Sequence, residues 1–218
     1  DITLLCNQGG PKTPTFPGGG GPRAHEEEYQ IFQRVLDDVK NIQNPTMIEL
    51  GSYWALWSLC FRQKFPSGTN TLIDIVKRKL AVGEENFKLN GFKASAYWGS
   101  VFIEGMFNAG EEVEKTLEDP LLTGPALDLE EICKAEAIGV IDILHADIQG
   151  SEKPLIESMK KNNFLSDSVR AFVLATHGGK IHTFIKKELP LYGYSIIEDY
   201  SSHGGSGGDG LIYARKCI

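Results

Sequence analysis

The stretch "MIELGSYWALWS", from Met47 to Ser58, decides the fold of this 218-residue chain. An apolar run with one acid leads to Gly51, and small and aromatic residues follow without proline or charge. Such a run is typical of a buried strand that ends in a tight turn before a helix. A glycine in that turn lets the backbone approach a ligand, and the first N–H groups of the helix face it. The same residues also suit plain core packing, and the pattern alone favours neither interpretation.

Strand-like and helix-like segments alternate along the chain after an initial helix at 24–43. The predicted strands are 46–50, 70–76, 93–102, 140–148, 169–177, 194–200 and 210–216. The predicted helices between them are 55–65, 77–91, 127–137, 151–162 and 181–193. This order predicts an α/β fold, a Rossmann-like doubly wound sheet that is mostly parallel with helices on both faces. No helix separates the last two strands, so we expect the last strand to be antiparallel.

The first part of the chain differs in composition from the rest. Residues 9–22 read "GGPKTPTFPGGGGP", which predicts an irregular segment. We therefore expect an irregular arm at 1–22 and a single domain at 23–218.

Charge and cysteine content narrow the function classes. The chain has 22 basic and 29 acidic residues, a net charge of −7, and no basic block, which predicts that nucleic acid is not a partner. No apolar run approaches the ~20 residues that span a bilayer, and no signal peptide is visible. We therefore expect a cytoplasmic protein without a membrane partner. The four cysteines have no C-x-x-C spacing, which indicates reduced thiols. Nothing indicates an oligomeric state.

In open α/β sheets, ligands bind outside the carboxyl ends of the strands. The segments to search are therefore 50–55, 74–76, 98–100, 147–150 and 176–179. The turn "GSYWA" lacks the second and third glycines of G-x-G-x-x-G, so a dinucleotide pyrophosphate is a poor fit.

Two motifs carry a family resemblance. "IELGSYWALWS" resembles the first motif of class I S-adenosylmethionine-dependent methyltransferases and, more narrowly, that of the FkbM-type family. The residues that match are Glu49, Gly51, Ser52 and Ser58. Ala55 stands at the family's second glycine and Tyr53 at its usual asparagine. "LHADIQGSE" at 144–152 resembles the family's fourth-strand signature, Asp-x-x-Gly-x-Glu, and the likeness extends over roughly 45–216.

The resemblance implies S-adenosylmethionine as the cofactor. Its methionine end would lie near the first motif, against Glu49, Gly51, Ser52, Tyr53 and Trp54. Asp74 would accept hydrogen bonds from the ribose hydroxyls, and Trp98 and Gly99 would contact the adenine. Asp147 and Gln149 complete the implied cofactor site. Other roles stay open at this stage: Glu49 could cap the next helix, Asp74 could lie inside its strand, and Trp57 and Trp98 could be core residues.

Methyl transfer needs a positioned acceptor, since the sulfonium is already activated. A hydroxyl acceptor also needs a base, for which Asp147, His177 and His182 are the candidates. His145, inside the fourth strand, is expected to be a core histidine with its hydrogen bonds satisfied. Asp147, Glu152 and His177 could also hold a divalent metal, although their spacing does not support one.

The resemblance implies O-methylation of a hydroxyl on a sugar or other small molecule, with that small-molecule or carbohydrate acceptor as the partner. Two alternatives stay open. One is a non-catalytic cofactor-binding or interaction module on the same fold. The other is a nicotinamide dehydrogenase, which the absent G-x-G-x-x-G motif disfavours.

Overall fold

The computed structural model describes residues 22–101, 124–160, 163–200 and 209–217. The helices are α1 (Pro22–Asp38), α2 (Leu56–Lys64), α3 (Lys77–Leu89), α4 (Leu129–Ala135), α5 (Glu152–Met159), α6 (Phe164–Asp167) and α7 (Gly179–Glu188), and a 3₁₀ helix follows at Leu189–Tyr192. The strands are β1 (Thr46–Leu50), β2 (Thr69–Asp74), β3 (Ser95–Trp98), β4 (Ile143–Ala146), β5 (Ala171–His177), β6 (Tyr194–Tyr200) and β7 (Asp209–Lys216).

These seven strands form one sheet in the order β3-β2-β1-β4-β5-β7-β6. The first five strands in that order run parallel, and β7 is antiparallel to both β5 and β6. The predicted Rossmann-like sheet with an antiparallel last strand is therefore confirmed. The chain moves outward from β1 to β3 and then returns to the other side of β1 as β4. This reversal creates a switch point between β1 and β4, where ligands bind in such sheets.

The strand residues alternate between two apolar layers, as the pleat requires. One layer packs α1 and α2 against residues such as Met47, Ile143 and Val173. The opposite layer packs α4, α5 and α7 against Ile48 and its neighbours on the same face. The sheet is thus covered on both faces, and its carboxyl edge remains the place where loops gather.

Several predicted boundaries differ from the observed ones. Helix α1 ends at Asp38, earlier than the predicted 43, and β3 spans only Ser95–Trp98 of the predicted 93–102. The predicted helix 181–193 is α7 followed by the 3₁₀ turn, because Pro190 has no N–H with which to continue the α-helix. The short helix α6 was not predicted. Of the predicted arm at 1–22, residues 1–21 lie outside the described residues and Pro22 begins α1 instead, and most of the acidic segment 103–126 also lies outside them.

Two further observations concern the described part of the chain. Cys60, Cys133 and Cys217, which all lie in the described ranges, carry free thiols. Within those ranges, every helix is too short or too polar to cross a membrane.

Candidate active site

The loop after β1 is closed by backbone contacts. Gly51 has φ +73°, and the N–H groups of Gly51 and Ser52 both donate to the Ile73 carbonyl, at 2.9 and 3.1 Å. A Cβ at Gly51 would lie 2.0 Å from the carbonyl oxygen of Asp147. The glycine is therefore required by the close contact between the β1 and β4 loops. The predicted role of Gly51 in cofactor binding stays a prediction beside this structural one.

Ala55 keeps the conformation that a glycine would take. It stands at the second glycine of the motif, and its backbone is left-handed, with φ 57° and ψ 34°. An L-residue in this conformation costs roughly 1–2 kcal/mol relative to a right-handed one. The Ala55 N–H donates to the Ser52 carbonyl at 2.5 Å, which helps to hold the turn. The turn geometry is thus maintained although the glycine is absent.

Helix α3 supports the same loop from outside. The Asn86 side chain donates from Nδ2 to the Trp54 carbonyl at 2.9 Å. A Cβ at Gly83 would lie 2.8 Å from the Tyr53 carbonyl oxygen, so the glycine allows α3 to pack closely. Neither residue was predicted from the sequence. Their signal was a glycine and an asparagine inside a predicted helix, where both are poor helix formers.

Glu49 is a buried carboxyl at the end of β1, with 2 % of its surface exposed. Its Oε2 accepts a hydrogen bond at 3.0 Å from the N–H of Ser58, in the first turn of α2. Burial, with a smaller contribution from the negative charge of Asp147, raises the pKa of Glu49 to about 8. The structure therefore supports the helix-capping role that the sequence left open, and the ligand role stays a prediction.

Asp74 is the last residue of β2, which answers whether it lies inside the strand or at its end. Its Oδ2 accepts from the Tyr53 N–H at 3.1 Å and its Oδ1 from the Val76 N–H at 2.8 Å. Burial raises its pKa, and these two hydrogen bonds oppose the shift. Each carboxylate oxygen can accept more than one hydrogen bond, so the side chain retains capacity for a ligand.

Trp98 and Gly99 lie where β3 ends. The indole Nε1 of Trp98 donates to the Ile75 carbonyl at 2.9 Å, and the Lys77 ammonium lies 5.0 Å from the Trp98 ring. A Cβ at Gly99 would lie 2.4 Å from the Pro125 carbonyl oxygen, so a glycine is required there. Tyr53 stacks on Trp54 with ring centroids 4.0 Å apart, on the neighbouring loop.

The loops after β4 and β5 bring four polar side chains together. Gln149 Nε2 lies 2.9 Å from Asp147 Oδ1 and also 2.9 Å from His177 Nε2. His177 Nδ1 lies 2.8 Å from Oε1 of the fully buried Glu152. Three of the predicted site residues are therefore neighbours. From the sequence, Glu152 was proposed only as a possible metal ligand, and its contact with His177 was not predicted.

His182 belongs to a different network. Its Nδ1 lies 2.8 Å from Thr176 Oγ1, and its Nε2 lies 2.7 Å from Asp199 Oδ1 on β6. Lys186 forms an ion pair with the same carboxylate. Both ring nitrogens of this buried histidine are therefore engaged away from the Asp147 and His177 cluster.

His145 is a core residue, but its hydrogen bonds are not satisfied. Neither ring nitrogen has a hydrogen-bond partner among the described residues. The ring centroid lies 5.8 Å from that of Trp57 and 6.3 Å from that of Phe32, so the surroundings are aromatic. Burial lowers the pKa of His145 to about 3. The expectation of a satisfied core histidine was right about the core and wrong about the hydrogen bonds. Trp57 itself is buried in the core, as the sequence allowed.

Helix α1 adds an acid that the sequence analysis missed. Burial, together with the charge of Asp147, raises the pKa of Glu28 to about 7. Glu28 precedes Phe32 by one helical turn and therefore lies on the same side of α1 as that buried ring. This spacing was the signal that could have found it.

Donors near the β1 loop complete the site. Ser52 Oγ and Trp54 Nε1 are buried, and no partner for them lies in the part of the chain that the structure describes. Buried polar atoms normally have partners, so these atoms are suited to receive a ligand. Across the same described ranges, no cluster of three or more His, Cys, Asp or Glu side chains has the geometry to hold a metal ion.

Comparisons with known proteins identify the fold. No family model and no curated protein sequence matches the chain, so the narrower FkbM resemblance stays a prediction. The solved structure of the METTL16 MTase domain has 9 % identity and a TM-score of 0.59, with 88 % of this chain and 67 % of that chain covered. The ribosomal protein L11 methylase from Lactobacillus delbrueckii subsp. bulgaricus has 14 % identity and a TM-score of 0.53, with 94 % and 90 % covered.

The prediction that nucleic acid is not a partner is wrong. Structures similar to this chain include the METTL16 MTase domain, and such likenesses give no ground for excluding nucleic acid. Net charge sums over the whole chain, whereas binding depends on the local field. Here α3 begins with Lys77, Arg78 and Lys79 although the chain is acidic overall. The sheet order and these likenesses show that the chain has the Rossmann-like fold of class I methyltransferases.

Proposed function

We propose that the chain is an S-adenosylmethionine-dependent methyltransferase that methylates a hydroxyl on a sugar or other small molecule. The observation that carries the proposal is the group of acids at the β1–β4 switch point. Burial raises the pKa values of Glu28 and Glu49 to about 7 and about 8, and Asp147 contributes to both shifts. Acids in such surroundings favour a cationic ligand, because a nearby positive charge stabilises their ionised form. S-adenosylmethionine carries a sulfonium and an ammonium group.

The side of the switch point formed by β1, β2 and β3 offers groups for the rest of the cofactor. The unpartnered donors Ser52 Oγ and Trp54 Nε1 suit the carboxylate of its methionine part. Asp74, at the end of β2, suits the ribose hydroxyls, and Trp98 with Gly99 suits the adenine. When bound, the cofactor would supply an activated methyl group. The left-handed Ala55 supports the finer proposal of an FkbM-type site, because the turn keeps the geometry of the glycine motif.

His177 is the residue that we propose as the base. It lies beside Asp147 at the neighbouring strand end, and its side chain is 15 % exposed. A hydroxyl placed at its Nε2 would lose its proton to the imidazole as its oxygen bonds the methyl carbon, with the sulfur–methyl bond of the sulfonium breaking and its electron pair staying on sulfur. His182 is a weaker candidate, because Thr176 and Asp199 occupy both of its nitrogens. Asp147 remains the alternative acceptor of the proton.

Titration calorimetry with S-adenosylmethionine, S-adenosylhomocysteine and NAD tests the cofactor. We expect the first two to bind and NAD not to bind. Glu49, with a pKa of about 8, is mostly protonated at pH 7, and a bound cation should displace its proton. The binding enthalpy of S-adenosylmethionine should therefore depend on the ionisation enthalpy of the buffer, and S-adenosylhomocysteine, which lacks the sulfonium charge, should release fewer protons.

A transfer assay separates the enzyme from a non-catalytic binding module. The cofactor with a labelled methyl group would be incubated with sugars, other small hydroxyl compounds and RNA. Label on a sugar or small-molecule hydroxyl supports the proposal, and label only on a nitrogen contradicts the hydroxyl acceptor. Cofactor binding without transfer to any of them favours the binding module. Binding of NAD alone would favour the dehydrogenase.

A further inference from the structure

We propose that Glu152 positions His177 and fixes the tautomer in which it acts. This inference deepens the proposed function and rests on it for the role of His177 as a base. Glu152 is the first residue of α5, and none of its surface is exposed. Its Oε1 lies 2.8 Å from His177 Nδ1, so the carboxylate and the imidazole share one proton position.

The direction of this contact follows from the chemistry of the two groups. An ionised carboxylate only accepts hydrogen bonds, so Nδ1 of His177 carries the proton. Nε2 of the neutral ring then carries no proton and acts as a hydrogen-bond acceptor. Its nearest neighbour, at 2.9 Å, is the Gln149 amide nitrogen, which is a donor and needs such an acceptor, while Asp147 Oδ1 lies 3.3 Å away. The same amide nitrogen lies 2.9 Å from Asp147 Oδ1, which also accepts. The Gln149 amide group thus bridges two acceptors, Asp147 Oδ1 and His177 Nε2, which lie 3.3 Å from each other.

This arrangement presents a lone pair at the carboxyl edge of the sheet. An acceptor hydroxyl would take the place of the exposed Gln149 amide at Nε2 and transfer its proton there. The ring then becomes an imidazolium with a proton on each nitrogen, and Glu152 remains a carboxylate that stabilises it. Without Glu152, the ring could rotate or hold its proton on Nε2, where it would no longer act as a base.

Glu152 also has a local structural contact. Its Oε1 accepts from the N–H groups of Ile148 and Gly150, at 3.3 and 3.2 Å. Its Oε2 has no hydrogen-bond partner among the described residues. One oxygen thus serves the turn and the histidine together, so the test must distinguish a tautomer effect from loss of the turn.

The first measurement is the tautomer of His177 in ¹⁵N-labelled protein without ligand, read from long-range ¹H–¹⁵N correlation spectra. We expect a protonated Nδ1 and a bare Nε2 in the wild type, and a majority of the opposite tautomer in Glu152→Ala. Glu157→Gln is the matched control, because Glu157 lies on the same helix and pairs with Lys153 in a 3.7 Å contact. It should keep the wild-type spectrum. A protonated Nε2 in the wild type, or an unchanged tautomer in folded Glu152→Ala, overturns the proposal.

The second measurement is single-turnover methyl transfer. Residues that orient a ligating or reacting histidine typically contribute about 10–100-fold, so Glu152→Ala should slow transfer by that factor with unchanged cofactor affinity. A rate within twofold of wild type overturns the proposal. If Glu152→Ala does not fold, Glu152→Gln keeps an oxygen for the turn and removes the charge. The titration of His177 should then move to lower pH, and an unchanged titration overturns the proposal. The spectra need no methyl transfer, so they decide the role of Glu152 even if the proposed function fails.

Discussion

The two halves of the carboxyl edge are built in different ways. In the half formed by β1, β2 and β3, side chains hold the backbone: Glu49 binds the Ser58 N–H, and Asp74 binds the Tyr53 N–H. In the half formed by β4 and β5, side chains hold one another, as His177 does with Glu152 and Gln149. A pocket whose loop backbone is held by hydrogen bonds to side chains suits recognition of a rigid ligand. A network of hydrogen-bonded side chains suits transfer of a proton. Changes in the first half should therefore alter binding, and changes in the second should alter turnover.

The largest effect is expected in the second half. His177→Ala removes the proposed base, and a general base typically contributes about 10²–10⁴-fold to the rate. Single-turnover transfer should fall by that factor, while calorimetry should give a cofactor affinity near that of the wild type. His182→Ala is the comparison variant, because His182 lies in the separate network with Thr176 and Asp199. If only His182→Ala slowed transfer, the proposed division into a binding half and a turnover half would be contradicted.

The next effect belongs to the first half. If Asp74 binds the ribose, Asp74→Ala removes a charge-assisted hydrogen bond worth ~1.5–3 kcal/mol, which is about tenfold or more in affinity. Calorimetry with the cofactor measures this loss. A 2′,3′-dideoxy analogue of the cofactor is the control, because it should bind wild type and variant alike. Should the analogue still bind the variant more weakly, Asp74 would act through the Tyr53 and Val76 N–H groups.

A third effect concerns the stability of the fold and depends on His145 in the core. His145 has a pKa of about 3 when folded, against a usual value of 6.5. Between these values the unfolded chain binds the proton, so stability falls as the pH drops below about 6.5. His145→Leu removes two unpartnered buried nitrogens and should raise the free energy of unfolding at pH 7 by ~1–3 kcal/mol.

The pH dependence makes the same prediction sharper. One pKa unit corresponds to about 1.4 kcal/mol. At pH 5, His145→Leu should therefore raise the free energy of unfolding by ~2 kcal/mol more than it does at pH 7. Urea unfolding at pH 7 and pH 5 measures both values. Equal effects at the two pH values would show that His145 is not the group that titrates.

The smallest effect is expected at Ala55. Ala55→Gly relieves a left-handed backbone, which favours the folded state by roughly 1–2 kcal/mol. It also removes a fully buried methyl group worth about 0.8 kcal/mol and adds flexibility to the unfolded chain. The free energy of unfolding should therefore change by less than about 1 kcal/mol. Urea unfolding at pH 7 tests this, and a loss of several kcal/mol would mean that the Ala55 side chain carries essential packing against α3.

The order of helices and strands could be predicted because it depends on local periodicity. The positions of Asp74, Asp147 and His177 at strand ends followed from the same pattern. Partners could not be predicted in this way. Glu152 meets His177 across 25 residues of sequence, and Asn86 meets the Trp54 carbonyl across 32. Such contacts depend on how helices pack on the sheet, which no local pattern specifies.

Two further failures have a different cause. The hydrogen bonds of His145 depend on the side chains that surround it, and a strand pattern indicates burial without naming the neighbours. Nucleic acid was excluded from the net charge and the absence of a long basic block, although the basic residues at 77–79 lie together at one helix start. In both cases a property of a whole strand or of the whole chain was used to predict an interaction. That interaction depends on the side chains that lie next to one another.

Strand β7 lies between β5 and β6, although it follows both in the sequence. Its pairing with β5 joins Ala171 to Arg215 and continues to His177 opposite Asp209. While the chain is being synthesised, the edge of β5 therefore stays unpaired until residues 209–216 have left the ribosome. An unpaired edge can pair with another chain. A nascent chain that stalls before residue 209 would consequently be prone to aggregation, and completion of the sheet is a late step in its biogenesis.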